Sequence, residues 1–87
     1  MNHKHPATLH IYAQHAWHCP ARIKGNEEGL KRLKYAIEDA LEHGSGSCAV
    51  FCSDGEGYQV VVTKSDDIFG WEMPYLAEYA RGIWDEK

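Results

Sequence analysis

Apolar and polar residues alternate along Thr8-Leu9-His10-Ile11-Tyr12-Ala13-Gln14, with Leu9, Ile11 and Ala13 on one side. Alternation with a period of two predicts a half-buried strand. Residues 21–24 predict a short second strand that ends at Gly25. The period then lengthens. Leu30, Leu33, Ile37 and Leu41, with Ala36 and Ala40, recur at helical spacing and predict an amphipathic helix whose apolar stripe meets the core. Asn26 is its expected N-cap, because a side-chain oxygen there can accept an unpaired N–H of the first turn. Glu27 and Glu28 follow where the helix dipole favours negative charge. Glu27 with Lys31, and Glu28 with Arg32, are pairs four residues apart in the favourable order. Gly44 is expected to close the helix in a left-handed conformation.

Beyond the helix, residues 48–52 and 58–63 are rich in β-formers and flank Asp54-Gly55-Glu56-Gly57. Two such runs around an Asp-Gly turn predict a hairpin. Pro74 suits the first turn of a second helix, and Leu76, Tyr79, Ala80 and Ile83 give it a weaker apolar pattern. The element order is then ββαββα. It implies an α+β fold: a small antiparallel sheet of about four strands with one or two helices packed on one face.

Eighty-seven residues make one domain, with residues 1–6 expected to be a flexible tail. A chain this short needs most of its large apolar groups for its core, which leaves few to line a deep substrate cavity. The expectation is a protein that is not an enzyme and carries no cofactor. No apolar run is long enough to span a membrane, and the first ten residues lack the pattern of a signal peptide. Three cysteines, Cys19, Cys48 and Cys52, are an odd number with no disulfide framework, so reduced thiols in the cytoplasm are expected.

The net charge of −4 is unevenly spread. Residues 1–25 hold three basic residues and no acid, whereas residues 44–87 hold eight acids against three bases. A nucleic-acid binder would need a basic stripe to neutralise phosphates, so nucleic acid is not an expected partner, and neither is a membrane. The acidic half is compatible with a basic protein partner.

Gly25-Asn26-Glu27-Glu28-Gly29 precedes a helix, where backbone N–H groups can hold an anion. Two glutamates at the same place would repel one, and the lysine and hydroxyl residue of a P-loop are missing. These glycines and Asn26 are therefore read as the joint between strand and helix. His15, His18 and Cys19 offer two or three metal ligands, and a metal-binding module built on them is the alternative reading. Cys48 and Cys52, on one strand, would lie about 13 Å apart at roughly 3.3 Å per residue. One zinc ion cannot hold both. Cys19 could serve a nucleophilic enzyme only beside a base, and an adjacent His18 on a strand would point to the opposite face.

The C-terminal segment mixes Phe69, Trp71, Met73, Tyr75, Tyr79 and Trp84 with acids. Phe69 and Tyr79 are expected to close the core. Trp71 and Trp84 are harder to bury, and tryptophan is enriched in protein interfaces. Asp66, Asp67, Trp71, Glu72 and Trp84 are thus the candidate partner-binding residues.

The segment Ala21-Arg22-Ile23-Lys24-Gly25-Asn26-Glu27-Glu28-Gly29-Leu30-Lys31-Arg32-Leu33, followed later by Asp54-Gly55-Glu56-Gly57-Tyr58, resembles a pattern in small uncharacterised bacterial and phage proteins. In these a strand ends in I-x-G-N, a helix begins E-G-L-x-x-L, and a D-G-E-G-Y hairpin follows. Some resemble immunity proteins that neutralise bacterial toxins. The resemblance covers residues 21–62, brings no catalytic residue, and implies a protein-binding role. The combined expectation is a non-catalytic, inhibitor- or immunity-type domain that binds another protein, with homodimerisation as a further expectation.

Overall fold

A computed structural model describes residues 6–75. The predicted second helix (Leu76, Tyr79, Ala80, Ile83) and Trp84 lie outside the described residues, as does most of the predicted tail. The fold is α+β. Its elements are β1 (Leu9–Tyr12), β2 (Arg22–Gly25), α1 (Glu27–His43), β3 (Ser45–Phe51) and β4 (Gly57–Thr63), followed by a single 3₁₀ turn at Ile68–Gly70. β1 pairs with β2, and β3 with β4, in two separate two-stranded sheets.

The chain divides into two compact units. Among the described residues, 6–10 and 24–66 form the first, and 11–23 and 67–75 form the second. Helix α1 and the β3–β4 hairpin belong wholly to the first unit. There β3 and β4 run antiparallel through seven consecutive residue pairs, from Ser45 opposite Thr63 to Phe51 opposite Gly57. Thr8 forms a parallel bridge with Phe51, and the Phe51 N–H donates to the Ala7 carbonyl at 2.8 Å.

The core of this unit gathers Ala7, Leu9 and Val50, with Leu33, Cys48, Tyr58 and Val60 packed against them. Leu9 and Val50 are fully buried, each contributing about 1.5–3 kcal/mol relative to an exposed position. The phenol of Tyr58 donates to the Leu9 carbonyl, which fastens β4 to the start of β1.

Helix α1 begins and ends where expected. Asn26 caps it through its side chain, and Gly44 closes it at φ 100° with its N–H on the Ala40 carbonyl. Lys31 reaches Glu27 at 3.2 Å. Arg32 differs from expectation: its guanidinium donates to the Ala49 carbonyl at 2.7 Å, capping an acceptor on β3 instead of pairing with Glu28.

The buried face of α1 is a correction to the predicted stripe. Gly29, Ala36 and Ala40 are buried, Leu33 is half-buried, and Leu30, Ile37 and Leu41 are exposed. The reason is steric. A Cβ on Gly46 of β3 would lie 2.3 Å from the Ala36 carbonyl oxygen, and one on Gly29 would lie 2.0 Å from the Thr8 oxygen. Helix and strand backbones approach so closely that only glycine and alanine fit between them, and the leucines are rotated to the flank.

Strand boundaries also shift. β1 stops at Tyr12, so Ala13 lies outside it, and Ile11 is exposed although Leu9 is buried. β3 begins at Ser45, three residues before the predicted start, because the helix end at Gly44 feeds straight into the ladder: the Lys64 N–H donates to the Gly44 carbonyl at 2.9 Å.

Burial and pairing also act on Tyr58. Desolvation raises its phenol above the ordinary 10.0, and the Cys52 and Cys48 thiols add to the shift when ionised. A pKa raised in the folded state means that the folded protein holds this proton more tightly. The associated stability is therefore complete below pH 10 and is lost as pH climbs through the raised value. Tyr58→Phe should flatten the alkaline fall of unfolding free energy relative to wild type. Denaturant titrations on the alkaline side that give parallel curves for the two proteins would refute this coupling.

Candidate interaction surface

The segment after β4 holds four of the candidate residues or their immediate neighbours. Asp66 is a bend, Asp67 precedes the 3₁₀ turn, and Trp71 leaves that turn in extended conformation. Asp66, Asp67 and Glu72 are exposed, and Trp71 is 53% exposed. Asp67 occupies the N-cap position of the turn, but its carboxylate makes no capping hydrogen bond there. The segment is acidic at both ends and apolar between them.

Phe69 corrects an expectation. It does not close the core: it is 94% exposed. Ile68 and Met73 are exposed too. Burying a phenylalanine side chain yields about 1.5–3 kcal/mol, and nothing among the described residues provides that burial. The sequence carried a signal that was missed. Phe69 lies between the Asp66-Asp67 pair and Gly70, residue types that favour an exposed turn over a core segment.

The metal alternative is placed differently. His15 and His18 are exposed and Cys19 is half-buried. His18 is in a turn at φ +67°, its ring stacked on Trp17 with centroids 5.1 Å apart, and the Cys19 N–H donates to the Ala16 carbonyl at 3.0 Å. Residues 15–20, which could either continue β1 or form a loop, are a loop with a turn at Trp17 and His18. No group of three histidine, cysteine or acidic side chains close enough to share a metal ion occurs among the described residues. Cys48 and Cys52 are both half-buried free thiols.

Gly25, Asn26 and Gly29 are used structurally. The Asn26 Oδ1 accepts from the Gly29 N–H at 2.8 Å and from the Thr8 N–H at 3.0 Å, while its Nδ2 donates to the Pro6 carbonyl at 2.8 Å. The Asn26 N–H itself donates to the Thr8 carbonyl at 3.1 Å. The amides of Asn26, Gly29 and Leu30 are thus already engaged, by the Thr8 carbonyl, the Asn26 side chain and the Asn26 carbonyl.

Helix α1 is not long and apolar enough to cross a membrane, and neither is any other helix among the described residues. Comparison with protein-family models, with curated proteins and with solved structures finds no match.

Proposed function

We propose that this protein acts without catalysis, by binding a basic protein partner through an acidic, aromatic surface centred on residues 66–73, as an inhibitor or immunity-type protein would. The observation that carries this reading is Phe69, 94% exposed between the Asp66-Asp67 pair and Trp71-Glu72. Aromatic anchors supply most of the affinity in protein interfaces, and a charged rim steers the encounter. Trp84 belongs to the same reading from its sequence. The finer architecture enters as scaffold. The Thr8–Phe51 bridge supports joining the two sheets into one of four strands in the order β2-β1-β3-β4, with a second helix completing ββαββα. A cytoplasmic setting fits the reduced thiols.

The test uses untagged protein coupled to beads in lysate of the native host, at low and high salt. Wild-type protein should retain one dominant basic protein that high salt releases. Asp66→Lys/Asp67→Lys/Glu72→Lys should retain at least tenfold less of it, since each reversal turns a rim attraction into repulsion. Phe69→Ala should weaken capture at both salt levels, because its contribution is apolar. Equal capture by wild type and the triple variant would sink the proposal.

A further inference from the structure

Among the described residues, strand β4 is an edge strand, and its sequence, Gly57-Tyr58-Gln59-Val60-Val61-Val62-Thr63, contains no charge and no proline. Its pairing with β3 runs seven residues without a bulge. Natural sheet edges are usually blunted by lysine, proline, bulges or a covering element, because an unblunted edge pairs with another strand. The opposite edge of the hairpin is treated in that way: on β3, Phe51 bonds Ala7 and Ala49 accepts from Arg32.

The hydrogen bonds from Lys64 N to Gly44 O and from Cys52 N to Glu56 O bracket the ladder just outside the pairs Ser45–Thr63 and Phe51–Gly57. Those end pairs are therefore of the non-hydrogen-bonded type, and the types alternate along the strand. It follows that the N–H and C=O groups of Gly57, Gln59, Val61 and Thr63 point away from β3. All four residues are exposed, and Val61 is 66% so. On the other face, α1 lies over β3, and Tyr58, Val60 and Val62 of β4 remain half-exposed. Among the described residues, nothing pairs with the outer edge of β4 or fully covers its helix-side flank.

We propose that the occupant of this edge is β4 of a second copy, paired antiparallel about a two-fold axis at Val60. This register alone overlaps all seven residues. It sets Gly57 against the partner's Thr63 and Gln59 against the partner's Val61, and these are the residues whose backbone groups face outward. Val60 meets the partner's Val60, and Tyr58 meets the partner's Val62, which extends each apolar flank across the axis. The register also places Glu56 opposite the partner's Lys64, twice by symmetry, at positions where opposed side chains come close. A shift of two residues in one direction would instead set Glu56 against the partner's Asp66. The result is a continuous sheet in the order β3-β4-β4-β3, an isologous dimer.

Sedimentation equilibrium of the full chain across a dilution series is the test, with circular dichroism as a check on folding. Wild type should be dimeric at the upper end of the series. Val61→Pro removes only an outward N–H, leaves the β3 ladder intact, and should give monomer. Glu56→Lys and Lys64→Glu each create two like-charge pairs, and each should weaken the dimer roughly tenfold. The double variant Glu56→Lys/Lys64→Glu should recover wild-type affinity. Wild-type protein that stays monomeric throughout, or a dimer indifferent to these three variants, would overturn the proposal. So would a double variant no tighter than the singles.

Discussion

Replacing Gly29 by alanine will destabilise the protein by about 3 kcal/mol, near the top of the usual range for overpacking. Two effects oppose each other here. Alanine is the better helix former, worth about 1 kcal/mol over glycine in a helix interior. Against that, the new Cβ would stand 2.0 Å from the Thr8 carbonyl oxygen and 2.7 Å from the Thr8 carbonyl carbon. These are backbone atoms, held in place by the Asn26 N–H on the Thr8 oxygen and by the Thr8 N–H on Asn26. No rotamer can relieve the contact, so the chain before β1 must separate from the helix. A domain of this size unfolds with only about 4–13 kcal/mol, so the midpoint should drop by roughly 12–24 °C. Thermal melts of Gly29→Ala beside Lys34→Ala, at an exposed helix position, measure it. A Gly29→Ala midpoint at or above that of wild type would show that helix propensity wins and that the close approach is soft.

The same joint shows how far the sequence foretold the structure. The helix, its two ends and the β3–β4 hairpin follow from local chemistry, so Asn26, Gly44 and the Asp54-Gly55 turn announced them. The face that α1 buries depends on what lies beneath it. Hydrophobicity pointed to Leu30, Ile37 and Leu41, but the close approach of Gly29 to Thr8 and of Gly46 to Ala36 selected the glycine–alanine face. Such proximity is non-local and leaves no periodic trace. Phe69 departs from expectation for a related reason: an aromatic side chain favours burial, but the surrounding contacts decide whether it is core. The acidic character of residues 66–72 needed no structure to be seen. The open edge of β4 needed the register, because the direction in which each amide points follows from the pairing and not from residue type.

Asn26→Ala should cost about 2–4 kcal/mol, more than the loss of an N-cap alone. A capping residue usually satisfies one or two amides at the helix start, worth about 1 kcal/mol. Asn26 does more, because the same oxygen also takes the partly buried Thr8 N–H and its amide nitrogen reaches the Pro6 carbonyl. Alanine leaves the Thr8 and Gly29 N–H groups without their acceptor, and an unsatisfied buried donor costs about 1–3 kcal/mol. Asn26→Asp separates the contributions. It keeps both acceptor bonds and gains from the helix dipole, but it sets a carboxylate oxygen against the Pro6 carbonyl. Its loss should be about 1 kcal/mol, since one ordinary hydrogen bond is at stake. Denaturant unfolding gives the ranking, and amide hydrogen exchange gives the location. In Asn26→Ala, exchange should accelerate most at Thr8 and Gly29, where the side-chain acceptor is lost. If Asp and Ala cost the same, the decisive interaction is the bond to Pro6, and the cap at Gly29 contributes little to holding strand and helix together.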